Sequence, residues 1–284
     1  MTADATLDIF VQMLSPGGLM KIIINPVVAV FALFSTLFIT AAPAQAARVS
    51  PMIVELEPTG RASVARIDVI NDGEKDIPYE VQMMRGEITP DGKLNLTPAD
   101  EEFVVFPAQT LIEANSQQVF RVQYIGESAE NRSQVYYMAV RQIPVSFDPG
   151  VSEIQVVVNF NVLVNVVPDG TEPQAVVNAA RVATRDAPDS SQPAGEDGEP
   201  VLVSRRGIEV DAGNVGNRFY LAGFSEWKIS GESTDGEPFT LDYSGDEASR
   251  SIGVGVVAPD ANRIFFFPTE MDVAPGSLKV EISN

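Results

Sequence analysis

Cysteine and histidine are both absent from this 284-residue chain. Without them the usual zinc sites cannot be assembled. Nor can systems in which a histidine activates a serine or cysteine nucleophile. The lack of cysteine also means that no disulfide staples the fold, so burial alone has to stabilise it. Basic residues are scarce, with 19 Lys and Arg against 39 Asp and Glu. That balance argues against nucleic acid, which recruits cations to neutralise phosphates, and against anionic membrane surfaces. A glycine-rich phosphate loop and a Gly-x-Ser-x-Gly nucleophile elbow are missing too. No cofactor motif is found, and the chain reads as non-enzymatic.

Two acidic groupings are weighed against chemistry. Asp72, Glu74 and Asp76 alternate like a calcium loop, but Ile77 stands where such a loop needs glycine and Met83 where it needs a bidentate glutamate. A solvated turn is the better reading, and no metal site is assigned. Asp100, Glu101 and Glu102 could supply paired carboxylates, but in so acidic a chain they read as a surface run.

What is present begins with a segment foreign to the fold. Lys21 precedes an apolar run over 27–42, and Ala44-Gln45-Ala46 then forms a small-residue cleavage site. Residues 1–46 are therefore expected to be a secretory signal peptide removed before Ala47, leaving no stable membrane insertion. The alternative is a membrane anchor. Residues 1–19 fit neither signal nor fold, and Met20 is an alternative start. Removal of 1–46 leaves 238 residues with a net charge of −19, enough for two ordinary domains.

Almost nothing after residue 46 reads as helix. Val-, Ile- and Phe-rich runs alternate with turn residues, as in β-sandwiches. Strands are expected near 50–57, 64–71, 78–85, 102–106, 117–124, 134–142 and 153–167. The turns include Asn71-Asp72-Gly73 and Pro90-Asp91-Gly92. Seven strands in this space is an immunoglobulin-like count. Residues 168–173 (Pro-Asp-Gly-Thr-Glu-Pro) form the expected linker. Further strands are expected near 174–182, 200–211, 219–229, 237–243, 251–257, 262–267 and 277–283, with a polar loop over 186–200. The expected class is all-β, with two sandwich domains over 47–168 and 169–284.

The stretch 153–167 stands out. Ile154, Val156, Val158, Phe160, Val162, Val164 and Val166 share one side, while Gln155, Val157, Asn159, Asn161, Leu163, Asn165 and Val167 share the other. Strands usually run about 3–10 residues, so part of the apolar row should overhang its own core. No Lys, Pro or bulge signal guards it, although such edges invite pairing. Two readings stay open at this level. One is a long core strand between covered layers, and the other is a strand lent to a partner.

Several segments together resemble the periplasmic pilus assembly chaperones. Residues 106–122 are similar to their Pro-rich stretch ending in Gln-x-x-Arg, and 136–144 to their Phe-Tyr-x-Asn-x-Arg-Glu-Ile-Pro segment. Ser50–Val54 and Ile67–Asp72 resemble their first two strands, and Asp211–Arg218 resembles a turn of their second domain. The resemblance implies two immunoglobulin-like domains set at an angle, secreted to the periplasm. It implies pilin subunits and an outer-membrane usher as partners. The chaperone's long strand would complete a strand-deficient pilin, backbone bonds binding and alternate side chains filling pockets. Ile154, Val156, Val158 and Phe160 match the donated positions.

The chain departs from the family at a basic pair that grips the pilin's terminal carboxylate, since Glu55 and Leu163 occupy those places. An interdomain acid–arginine link is likewise missing, with Ser133 and Val167 at its positions. Within the resemblance, these features point to the branch serving archaic, spore-coat-like pilins. Antiparallel topology would place Arg85 and Arg132 near the groove's floor as replacement carboxylate anchors, with Arg141 at the far tip. The competing function is a secreted structural or adhesive tandem-sandwich protein.

Overall fold

The computed structural model describes residues 47–127, 131–144, 157–189, 192, 195 and 198–284. Ten strands build the first half. They are β1 (Arg48–Ser50), β2 (Ile53–Leu56), β3 (Val64–Asn71), β4 (Ile77–Ile88), β5 (Leu94–Pro98), β6 (Phe103–Phe106), β7 (Gln109–Ile112), β8 (Ser116–Tyr124), β9 (Gln134–Gln142) and β10 (Asn159–Val166). One sheet has the order β1-β3-β8-β6, and the facing sheet β2-β10-β9-β4-β5, with β7 also on β4. Alternation explains the packing. Ile67 and Val69 of β3, and Phe120 and Val122 of β8, face Val81, Met83, Met138, Val162 and Val164 across one core, while Arg66, Asp68 and Arg121 fall on the other side of their strands.

The second half contains β11 (Ala175–Pro188), β12 (Leu202–Asn214), β13 (Tyr220–Leu221), β14 (Glu226–Glu232), β15 (Pro238–Tyr243), α1 (Gly245–Ile252), β16 (Val256–Val257), β17 (Asn262–Pro268) and β18 (Lys279–Ser283). The sheet β11-β12-β17 stacks on β15-β14-β18, and β13 pairs with β16. Trp227 is 1% exposed at the centre. It packs edge-on to Phe265 with centroids 5.5 Å apart, and its Nε1 donates to the Ala222 carbonyl at 2.7 Å. The molecule is thus all-β with two sandwich cores, as the strand pattern requires.

Both sandwiches close a turn with the same asparagine clamp. Asn71 Oδ1 accepts the Gly73 N–H at 3.0 Å, while its Nδ2 donates to the carbonyls of Lys75, Ile112 and Glu113. Asn214 Oδ1 accepts the Gly216 N–H at 3.0 Å, and its Nδ2 donates to the carbonyls of Arg218 and Val257. Both asparagines are almost fully buried. Burial makes each amide an internal bridge between loops, beyond the local turn role legible in sequence. Gly216 is required by close approach, since a Cβ there would lie 2.4 Å from the Glu172 carbonyl.

Several expectations change. The run near 50–57 divides into β1 and β2, which lie in different sheets. Of the run near 153–167, the described part is strand only over Asn159–Val166, and 153–156 lie outside the described residues. β5 and β7 are additional short strands. The run near 251–257 contributes strand only at Val256–Val257, because α1 occupies Gly245–Ile252. The run near 219–229 breaks into β13 and β14 around a turn of 3-10 helix at Ala222–Phe224. The loop over 186–200 begins later, since β11 and β12 form a long hairpin paired from Ala175–Asn214 out to Pro188–Leu202. α1 is short and polar, so no apolar period announces it, and isolated helices of this length are unstable. It is held by docking: Ala248 is buried, and Ser249 Oγ donates to the Gly223 carbonyl at 2.9 Å. Asp246 and Glu247 in its first turn and Arg250 in its last suit the helix dipole.

Candidate functional site: the edge of β10 and the adjoining seam

The pairing of β10 changes along its length. β9 flanks it along its whole length, from Asn159 opposite Arg141 to Val166 opposite Gln134. On the other flank β2 runs parallel and covers only Leu163–Val166, opposite Ile53–Leu56. Among the described residues, the backbone of Asn159–Val162 therefore has a strand on one side only. From Val162 onward both faces are covered. Val162, Val164 and Val166 are fully buried in the first core, while Leu163 and Val167 pack on the opposite face with Phe219 and Val256 of the second half. The C-terminal part is a doubly covered core strand, whereas among the described residues the N-terminal part is paired on one flank only.

Of the proposed donated positions, Ile154 and Val156 lie outside the described residues. Val158 precedes β10 and is half-buried, its N–H directed at Gln142 Oε1 at 3.4 Å. Phe160 is half-buried and packs against the first core. Phe160 extends the row of Val162, Val164 and Val166 along that core, and Val158 lies one step beyond it.

Arg85 and Arg132 both hold acids. Arg85 stands opposite Tyr136 in the β4–β9 register. Its Nη2 donates to Glu102 Oε2 at 2.7 Å and to the Tyr136 hydroxyl at 2.9 Å. The guanidinium lies 4.9 Å from the Tyr136 ring centroid. Tyr136 donates to Glu102 Oε2 at 2.5 Å. Burial, and then this bond to Glu102, pushes the Tyr136 hydroxyl far above the usual phenol range. Glu102 is thus the hub of a polar network at one end of the sandwich and not part of a solvated acidic run. Arg132 pairs with Asp260 of the second half, so the two arginines have no partner in common. Arg141, opposite Asn159, lies at the other end of β9, as the antiparallel topology requires.

The seam between the two sandwiches is linked despite the missing family pair. Arg218 Nη2 donates to Glu55 Oε2 at 2.6 Å. Phe219 N–H donates to Ser133 Oγ at 2.7 Å, and Ser133 N–H donates to the Asn217 carbonyl at 2.9 Å. Asn217 Nδ2 reaches the Asn131 carbonyl at 3.0 Å. Glu55 and Ser133 thus depart from the family pattern, as the sequence shows, and each makes a different contact across the seam. Glu55 receives its cation from the second half, and Ser133 links the halves through its hydroxyl and backbone.

Residues 49–172 match the model of the pili and flagellar-assembly chaperones, PapD N-terminal domain. This part of the chain is a PapD-like pilus assembly chaperone domain. No curated protein matches the sequence. Similar solved structures include the archaic Csu chaperone–tip subunit complex of Acinetobacter baumannii, at 11% identity and TM-score 0.45, covering 78% of this chain and 89% of that one. Another is the Salmonella enterica SafA pilin with the SafB chaperone, at 15% identity and TM-score 0.45, covering 85% and 97%. A third is the E. coli chaperone DraB, at 15% identity and TM-score 0.43, covering 84% and 97%.

Two cations beside the PapD-like domain escaped the sequence reading. Arg218 lies within a stretch noted only for its turn, and Arg263 sits in a strand noted only for its apolar residues. Their signal is tertiary, since the second half brings both against the first. Asn165 carries a related signal, being fully buried with neither side-chain polar atom hydrogen-bonded among the described residues. No helix among the described residues is long and apolar enough to cross a membrane.

Proposed function

We propose that this protein is a non-enzymatic periplasmic chaperone that captures strand-deficient pilin subunits and passes them to an outer-membrane usher. Export would remove residues 1–46 and leave a chain beginning at Ala47, with two domains over 47–168 and 169–284. The observation that carries the reading is the half-covered flank of β10. Among the described residues, its backbone over Asn159–Val162 has no second neighbour, next to the apolar row that runs from Phe160 to Val158. An incoming sheet edge would gain backbone hydrogen bonds there, with Ile154, Val156, Val158 and Phe160 as knobs for its open groove. The PapD-like family match over the same residues supports this assignment.

Arg85 and Arg132 are proposed as anchors for the subunit's terminal carboxylate. Each would exchange the acid it now holds, Glu102 or Asp260, for that terminus. Exposed ion pairs contribute about 0–1 kcal/mol, so exchange with a better-placed carboxylate is feasible.

The test is co-expression of the exported protein with a strand-deficient pilin subunit encoded beside it, followed by co-purification. A stable one-to-one complex is expected. Separate elution of a folded chaperone and an aggregated subunit would overturn the proposal.

A further inference from the structure

A cavity of about 350 Å3 opens in the seam where β2 gives out beside β10. Small-ligand pockets run from about 300 to 1,000 Å3 and combine apolar walls with a few polar groups. The walls here are Ile53, Ile88, Leu94, Tyr137 and Leu163 from the first half and Val256 from the second. One charged side chain, Arg263, joins them. Its Nη1 donates to the Val256 carbonyl at 2.9 Å, and its guanidinium lies 5.5 Å from the Phe265 ring centroid. Its Nε is buried and, among the described residues, has no hydrogen-bond partner.

Among the described residues, no carboxylate lies within ion-pair distance of Arg263. Asp91 is near enough to act on it electrostatically, but that carboxylate accepts a hydrogen bond from Thr89. Burial pushes the guanidinium's pKa down, as expected of a cation without a full partner. Gly92 keeps room for it, because a Cβ there would sit 2.9 Å from Arg263 Nη2. A desolvated donor left unpaired is costly, so an anion that enters with its own apolar body would satisfy both cavity features.

We propose that this cavity is a second binding site, for a small amphipathic carboxylate of the fatty-acid class. The carboxylate accepts from Arg263, and the aliphatic chain lies against Ile53, Leu94, Tyr137 and Leu163. A peptide terminus fits less well, because its backbone amides would be buried against predominantly apolar walls without partners. The cavity adjoins the Asn159–Val162 edge, since Asn161 is among its lining residues, but its test reads small-molecule binding to the protein alone and not subunit capture.

Calorimetric titration of the full exported protein with decanoate, decanol and acetate decides the matter. Saturable decanoate binding is expected, with decanol about tenfold weaker, since hydrogen bonds to charged groups carry the difference, and with no binding of acetate. Arg263→Gln should weaken decanoate about tenfold while leaving decanol unchanged, and the retained decanol site would show that the variant is folded. Ile88→Trp, which fills the cavity, should abolish both. The proposal is overturned by an absence of decanoate binding, by equal affinity for decanol, or by unchanged binding in either variant. Tighter binding of a short peptide ending in leucine than of decanoate would overturn it as well.

Discussion

Arg218 and Glu55 meet across the seam, the arginine Nη2 donating to the glutamate Oε2 at 2.6 Å. The pair gives β2 an acid and the second half the cation, where the family resemblance implies a basic residue at the position of Glu55. Its side chains are 35% and 46% exposed, so water competes for both charges. Ser133, only 4% exposed, joins the same two halves from within. The contrast between these links leads to the first prediction.

Ser133→Ala should destabilise the protein more than Glu55→Gln. The alanine leaves the buried Phe219 N–H without its acceptor, a loss of about 1–3 kcal/mol. The exposed ion pair contributes about 0–1 kcal/mol. Urea unfolding of both variants measures the difference, and a larger loss from Glu55→Gln would reverse the ranking.

Charge on the proposed donor row should abolish subunit capture. Burying an Ile or Val side chain contributes about 1.5–3 kcal/mol, and a carboxylate in a dry groove opposes it. Val156→Asp and Phe160→Asp should each lose the complex, with Asn159→Asp, on the opposite face, affecting it far less. Co-purification supplies the readout, and equal effects on both faces would refute the donor-strand assignment.

Arg85→Ala should weaken capture far more than Arg61→Ala if Arg85 anchors a terminal carboxylate. From sequence alone no loss of stability is expected, but the structure changes that part. Removing Arg85 takes one partner each from Glu102 and Tyr136, at about 1 kcal/mol. Arg85→Lys, which keeps the charge, separates anchoring from folding. Undiminished capture by the Arg85→Ala, Arg132→Ala double variant would rule out both anchors.

All six tyrosines should resist ionisation until the protein unfolds. Tyr79, Tyr124, Tyr136, Tyr137, Tyr220 and Tyr243 each have a pKa pushed above the usual 10.0, with burial as the leading cause. A raised folded-state pKa contributes stability that is fully present below pH 10 and lost as pH rises beyond it. Tyrosinate absorbance should therefore appear cooperatively with loss of structure above pH 10. Tyr136→Phe should flatten this alkaline decline. A tyrosinate signal that appears at pH 10 in the folded protein would contradict the burial.

The alternation of residues by itself determined most of the strands, because a half-covered strand needs apolar groups at every second position. It also marked the turn at Asn71–Gly73 and the two-sandwich class. Tertiary structure decided what each exposed face meets. Asn159 and Asn165 lie on one side of the same run, yet the first is exposed and the second buried beneath the seam. α1 forms because a pocket around Gly223 receives it, and β5 is a short strand beside β4. The partners of Arg85, Arg218 and Arg263 were not legible for the same reason. A charge's neighbours are chosen by contacts across the fold, whereas periodicity reports only which side of its own strand a residue occupies.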